Sequence, residues 1–125
     1  MKILIAEDEV ILREAMKEKL INSGFEVKEV ADGLSALSQA LAWHPDLILL
    51  DILMPKMDGM TMLKKLRQDK NWGAHAKVIL LTNVSDTAKV AEGLIVGLDG
   101  AYEYLVKTDW SLDEIVVKIK ERLKK

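Results

Sequence analysis

The 125-residue sequence contains no cysteine, which excludes disulfide bonds and thiolate metal sites. No apolar run approaches the ~20 residues that a membrane-spanning helix requires. The apolar stretch that opens the chain is too short for a signal peptide, and acidic residues follow it directly. We therefore expect a cytoplasmic protein that makes no contact with a membrane.

An excess of basic charge is also missing. The chain has 18 Lys and Arg residues against 20 Asp and Glu residues, which gives a formal net charge of −2. Proteins that bind nucleic acid usually carry a basic surface, so we expect no direct contact with nucleic acid. The one basic cluster, KIKERLKK at 118–125, has helical spacing and is typical of a solvated helix face.

Short β-rich runs alternate with longer helical patterns, without repeats or linkers, which predicts one domain over residues 1–125. The predicted strands are 2–6, 25–30, 46–50, 77–82 and 101–106, and the predicted helices lie near 9–22, 33–42, 59–69, 86–97 and 112–124. This alternation implies parallel strands joined by right-handed crossovers. We predict an α/β fold: one doubly wound, flavodoxin-like, five-stranded parallel sheet of order 2-1-3-4-5, with helices on both faces.

Two of the predicted helices carry clear local signals. The first has apolar residues at i, i+3 and i+4 steps, which predicts one buried face made of Ile11, Leu12, Ala15, Met16 and Leu20. The last begins with Ser111, followed three residues later by Glu114. This spacing predicts a capping box, in which each side chain binds the backbone amide of the other residue.

Four of the predicted strands end in residues that carry chemistry. Glu7 and Asp8 follow the first strand, Asp51 the third, Thr82 the fourth and Lys107 the fifth. Ligands of doubly wound sheets bind beyond the carboxyl ends of the strands, so we expect these side chains to converge there. Each residue alone is ordinary at a strand end, but together they indicate a site. The second strand ends in the stretch Val30-Ala31-Asp32-Gly33, which we interpret as an ordinary turn.

Crowded carboxylates repel one another unless a cation lies between them, and oxygen ligands suit Mg²⁺. Lys107 adds a positive charge that can pair with a carboxylate or a phosphoryl oxygen. The set lacks the parts of a hydrolase triad. It suits nucleophilic attack by a carboxylate, Asp51, on phosphorus to form an aspartyl phosphate.

The motifs KILIAEDE (2–9), LILLDILMPKMDG (47–59), VILLTN (78–83) and YLVK (104–107) resemble the receiver domain of two-component response regulators. The resemblance covers essentially the whole chain. It implies a signalling switch whose only chemistry is on itself, and not an enzyme with foreign substrates. The sequence names neither the cognate kinase nor the output.

The resemblance also assigns roles to individual residues. Asp51 would accept a phosphoryl group from a sensor histidine kinase or a phosphotransfer protein. Glu7, Asp8, Asp51 and the main-chain carbonyl of Leu53 would bind Mg²⁺. Thr82 and Lys107 would each bind a phosphoryl oxygen.

The resemblance further implies how the signal would be transmitted. Tyr104 would swing inward as Thr82 moves toward the phosphoryl group. The surface of the fourth predicted helix, the fifth strand and the fifth predicted helix would then change for a downstream protein or an effector domain. The family also allows a dimer that depends on phosphorylation. Without the resemblance, Tyr104 is typical of a strand aromatic packed under a helix.

The sequence departs from the family pattern after Lys107, where a proline joined by a cis peptide bond is usual and Thr108 stands here. Either the Lys107–Thr108 bond is trans and the loop is reshaped, or a costly non-proline cis bond is tolerated. Whether this bond is trans or cis decides how far the Lys107 side chain reaches toward the site. Near Asp51, Asn83 is larger than usual and could narrow access. Leu53 and Val84 would flank an attacking water, and because both are apolar we predict slow loss of the phosphoryl group.

Three other functions compete with a phosphorylated switch. A receiver-like domain could act as a constitutive protein-binding module without phosphorylation. A phosphatase with an Asp nucleophile, similar to the haloacid dehalogenase group, would carry a second Asp where Leu53 stands. A flavin carrier would need a loop rich in Ser, Thr and Gly after the first strand, where this chain has three acids at 7–9.

Overall fold

The computed structural model describes residues 1–83 and 103–124. Its sheet has five strands in the order β2-β1-β3-β4-β5, and every neighbouring pair is parallel, which confirms the predicted fold. The strands are β1 (Lys2–Ala6), β2 (Glu26–Val30), β3 (Leu47–Asp51), β4 (Val78–Thr82) and β5 (Glu103–Val106).

In the described part of the chain, helices follow β1, β2, β3 and β5. They are α1 (Val10–Asn22), α2 (Gly33–Trp43), α3 (Gly59–Arg67) and the C-terminal helix (Leu112–Leu123), with short 3-10 turns at Gly73–His75 and Lys107–Asp109. The helix predicted at 86–97 and the first two residues of the strand predicted at 101–106 lie outside the described residues. No helix in the described part of the chain combines the length and the apolarity needed to span a bilayer.

The sheet separates two apolar clusters, because successive side chains of a strand point to opposite faces. On one face α2 and α3 pack against the strands, and on the other α1 and the C-terminal helix do so. The central strands β3 and β4 are buried at every residue, whereas the edge strand β2 stays partly exposed. This distribution is the one that their apolar and alternating patterns predict.

The buried face of α1 is shorter than its periodicity predicts. Met16 and Leu20 are buried and Leu12 packs beside them, but Ile11 is 86% exposed. Ile11 lies in the first helical turn, at the carboxyl edge of the sheet, whereas Met16 and Leu20 lie farther along the helix, over the strands. The prediction for Ile11 was therefore wrong, because helical spacing does not tell where the sheet beneath the helix ends.

The predicted capping box at the start of the C-terminal helix is confirmed. The Glu114 amide donates to Ser111 Oγ (3.1 Å), and the Ser111 amide donates to Glu114 Oε1 (2.9 Å). This start fixes the register of the helix, which buries Ile115, Val116, Ile119 and Leu123.

Candidate functional site

Three carboxylates converge at the carboxyl edge of the sheet. Glu7 directly follows β1 and Asp51 is the last residue of β3, so the pairing of these strands places the two side by side. Ligand atoms of Glu7, Asp8 and Asp51 lie within 4.8 Å of one another. Glu7 is fully buried and Asp51 is only 3% exposed, whereas Asp8 is exposed. This acidic cluster, Glu7, Asp8 and Asp51, is the one that the sequence predicts.

Lys107 reaches into the acidic cluster from the end of β5. Its Nζ lies 2.8 Å from Glu7 Oε1 and 3.2 Å from Asp51 Oδ2, with Glu9 Oε2 at 3.9 Å. The Lys107–Thr108 peptide bond is trans, since the described residues contain no cis bond. The backbone instead forms the 3-10 turn that begins at Lys107. The trans alternative therefore holds, and the lysine still reaches both carboxylates.

The crowded charges change the acidity of the site. Burial, reinforced by the neighbouring Glu7 carboxylate, raises the pKa of Asp51 to about 7, although Lys107 opposes the shift. Burial lowers the pKa of Lys107, but its contact with Glu7 and the charge of Asp51 outweigh burial and raise that pKa. The lysine therefore stays charged at neutral pH, while Asp51 is poised between its two protonation states.

The acidic cluster also has the donor set of a divalent-cation site. Despite the ammonium at 2.8 Å, the buried Glu7 Oε1 has no hydrogen bond of good geometry. The Lys107 ammonium pairs with this oxygen electrostatically, and a hard cation could bind it directly as a ligand. A set of carboxylate oxygens in which Asp8 is open to solvent fits Mg²⁺, which prefers oxygen ligands and retains several waters.

The loop between β3 and α3, residues 52–58, holds Asp51 in place; we call it the acceptor loop. The Gly59 amide donates to the Ile52 carbonyl (2.7 Å) and closes the acceptor loop. A methyl group on Gly59 would lie 2.1 Å from the Asp51 carbonyl oxygen, so this position requires glycine because of close approach. Asp58 then caps α3 through the Thr61 amide (2.8 Å). Leu53 lies in this loop with its side chain 45% exposed.

The remaining predicted site residues lie on β4 and β5. Thr82 is fully buried at the end of β4, and its hydroxyl donates to the Asn83 carbonyl at 2.9 Å. The Asn83 side chain is exposed. Tyr104, on β5, is 44% exposed. Val84 lies outside the described residues.

One residue that contacts the site, Arg13, could not be identified from the sequence. Arg13 on α1 donates from Nη1 to the Glu7 carbonyl (2.9 Å), and its Nε lies 3.4 Å from Glu29 Oε2. It therefore ties the backbone of Glu7 to the edge strand β2. Only the packing of α1 against β1 and β2 brings these atoms together, so spacing along the chain could not have predicted the contact.

The comparisons with known proteins agree with this geometry. The family model described as "Response regulator receiver domain" matches residues 3–120. A probable transcriptional regulator, ycf27, of Cyanophora paradoxa is 35% identical over 99% of this chain. The chain spans about half the length of that relative, 48%.

Solved structures show the same similarity. The chemotaxis response regulator CheY4 of Vibrio cholerae is 29% identical with a TM-score of 0.81, covering 98% of both chains. The receiver domain of a sensor histidine kinase from Pseudomonas aeruginosa, solved with a magnesium ion coordinated in its active-site cleft, is 26% identical with a TM-score of 0.83, covering 98% of this chain and 96% of the other. The chain thus belongs to the receiver domain family of two-component response regulators.

Proposed function

We propose that this domain, residues 1–125, is a phosphorylation-gated switch in which Asp51 accepts a phosphoryl group with the help of Mg²⁺. The observation that carries the proposal is the convergence of Glu7, Asp8 and Asp51 within 4.8 Å, with Lys107 inserted between Glu7 and Asp51. A buried cluster of like charges costs stability, so its presence at the ligand-binding edge of the sheet favours function over packing.

Transfer requires an ionised nucleophile that faces the donor. An Asp51 carboxylate oxygen forms the new bond to phosphorus as the phosphorus–nitrogen bond of a donor phosphohistidine breaks, and the electron pair stays on the imidazole nitrogen. Lys107 holds the ionised carboxylate and neutralises a phosphoryl oxygen as negative charge accumulates. The Thr82 hydroxyl would exchange its bond to the Asn83 carbonyl for one to a second phosphoryl oxygen.

The acidic cluster would hold Mg²⁺ through Glu7, Asp8 and Asp51, with the main-chain carbonyl of Leu53 as a fourth ligand. When bound there, Mg²⁺ would neutralise the carboxylates and polarise the phosphoryl oxygens. Charge neutralisation matters here because the pKa of Asp51 is raised to about 7, so a cation keeps the nucleophile ionised at neutral pH.

Movement of Thr82 toward the phosphoryl group would leave space beside β5, into which the exposed Tyr104 could turn. The affected surface would comprise β5, the C-terminal helix and the helix predicted at 86–97. We propose that a downstream protein or an effector domain reads this surface, and that a dimer formed on phosphorylation could use it. The upstream partner would be a sensor histidine kinase or a phosphotransfer protein.

The decisive experiment is the intact mass of the protein after incubation with acetyl phosphate, with and without Mg²⁺, for wild type and Asp51→Asn. We expect a gain of one phosphoryl group that requires both Mg²⁺ and Asp51. A folded wild type that gains no mass would reject phosphoryl acceptance and leave a constitutive protein-binding module. Repeated turnover of a foreign phosphate ester would instead support a phosphatase, which the apolar Leu53 argues against.

A further inference from the structure

The turn between β2 and α2, Asp32–Gly33, packs directly on the acceptor loop. A methyl group on Gly33 would lie 1.9 Å from the Met57 carbonyl oxygen, 2.6 Å from its carbonyl carbon and 2.9 Å from its Cβ. Side-chain carbons essentially never approach other atoms within 3.0 Å, so only glycine fits here. What the sequence presents as an ordinary turn is therefore a backbone-to-backbone contact with the loop that follows Asp51.

The acceptor loop has little freedom to move away from a side chain added at Gly33. Its two ends are joined by the hydrogen bond from the Gly59 amide to the Ile52 carbonyl (2.7 Å). Ile52 and Met54 are buried in the apolar cluster beneath α2 and α3. Lys56 already has a positive φ of 67°, which non-glycine residues rarely adopt. A displaced Met57 would therefore shift its neighbours in the loop, including the backbone of Leu53.

The Asp32–Gly33 turn is also fixed by hydrogen bonds and cannot move freely away from the acceptor loop. The Val30 carbonyl, at its start, accepts the amide hydrogen of Glu7 (3.1 Å). The Asp32 carboxylate accepts hydrogen bonds from the Ser35 amide (2.7 Å) and the Ser35 hydroxyl (3.0 Å), which fasten the turn to α2. Retraction of the turn would pull on Glu7, and displacement of the acceptor loop would move Leu53. Either movement that would relieve the clash would therefore displace a proposed metal ligand.

We infer that Gly33 is a positioning residue for the acceptor site: its contact with Met57 sets the path of the acceptor loop and thereby the affinity of the acidic cluster for Mg²⁺. The inference rests on the proposed function, because it takes Mg²⁺ as the ligand. Gly33 itself touches neither metal nor phosphoryl group. Some residues orient metal ligands without binding the metal themselves. Their substitution commonly changes metal affinity 10- to 100-fold.

The test is the Mg²⁺ dissociation constant of Gly33→Ala, measured by calorimetric titration without any phosphodonor. We expect it to rise about tenfold over wild type. We also expect phosphorylation by acetyl phosphate to be slow at limiting Mg²⁺ and to recover at saturating Mg²⁺. A general loss of stability would not produce this dependence on Mg²⁺ concentration.

Gly73→Ala is the matched control. A methyl group there would lie 2.1 Å from the Leu66 carbonyl oxygen, a clash of the same kind, but in the 3-10 turn that precedes β4 at the opposite edge of the sheet. Gly73→Ala should lose stability and keep the wild-type Mg²⁺ affinity. Equal Mg²⁺ affinities for Gly33→Ala, Gly73→Ala and wild type would overturn the inference.

If Gly33→Ala does not fold, Lys56→Gly tests the second part of the inference, that the path of the acceptor loop sets the Mg²⁺ affinity. It removes the pairing of Lys56 Nζ with Asp32 Oδ2 (3.9 Å) and loosens the acceptor loop at a φ that suits glycine. We expect severalfold weaker Mg²⁺ binding, and an unchanged affinity would contradict the inference. A wild type that binds no Mg²⁺ and gains no phosphoryl group would reject the proposed function itself, a result distinct from failure of the Gly33 variant alone.

Discussion

Lys107 Nζ lies 2.8 Å from Glu7 and 3.2 Å from Asp51, so a single ammonium group joins the carboxyl ends of β1, β3 and β5. Three strands thus meet in one buried charge cluster. Burial, and after it the Glu7 carboxylate, still raise the pKa of Asp51 to about 7, so the positive charge of Lys107 offsets these two effects only in part. Binding of a second cation to the acidic cluster would therefore be energetically favourable.

Replacement of Lys107 by Met should separate phosphoryl acceptance from metal binding. The variant loses the charge that, in the proposed mechanism, would align Asp51 and neutralise a phosphoryl oxygen, so we expect acceptance from acetyl phosphate to slow by about 10²–10³-fold. Mg²⁺ affinity should be kept or increased, because a competing cation has left the acidic cluster. Lys118→Met, which removes a pairing with Glu103 away from the site, is the control. Equal losses in both variants would contradict the assigned role.

The contribution of Asp51 to the stability of the metal-free protein should fall as pH rises through the range of about 4 to 7. The pKa of Asp51 rises from 3.8 in the unfolded chain to about 7 in the fold, so the folded state binds more protons within this window. The change in the free energy of unfolding should be on the order of 1–3 kcal/mol, measured by urea denaturation at several pH values. Asp51→Asn should lose this slope, and an unchanged slope would reject the raised pKa.

Mg²⁺ should raise the melting temperature through the acidic cluster. Binding to the folded state alone stabilises by about 2.7 kcal/mol at a hundredfold excess over the dissociation constant. Glu7→Gln keeps the size of the side chain but removes a charge, so most of the Mg²⁺-dependent shift in thermal unfolding should disappear. Ser111→Ala should lose about 1 kcal/mol of stability with its helix cap and keep the full shift. A full shift in Glu7→Gln would exclude Glu7 as a ligand.

The phosphoryl group should be long-lived because the two residues that the sequence predicts beside an attacking water are apolar. Leu53 is 45% exposed in the acceptor loop, and Val84 is the second such residue predicted from the sequence. Asn or Glu at both positions can orient a water, so hydrolysis should accelerate on the order of tenfold. The decay of the phosphorylated mass over time measures this rate. Equal lifetimes in wild type and the double variant would refute the prediction.

The sequence alone determined the fold and predicted which side chains meet at the carboxyl edge of the sheet. Apolar runs such as the one before Asp51 have the length and character of buried strands, and their alternation with helical patterns leaves few topologies. Once the strands are parallel, the residues after each strand must meet at one edge. Glu7, Asp51 and Lys107 could therefore be placed together without coordinates.

Only the tertiary structure decided how these residues act on one another. The reach of Lys107 across a trans bond, the raised pKa of Asp51 and the exposure of Ile11 depend on distances and burial between segments far apart in sequence. The contact of Gly33 with Met57 does so as well. Local patterns record which face of an element is apolar. They do not record where two backbones touch, because that is set by how the elements pack.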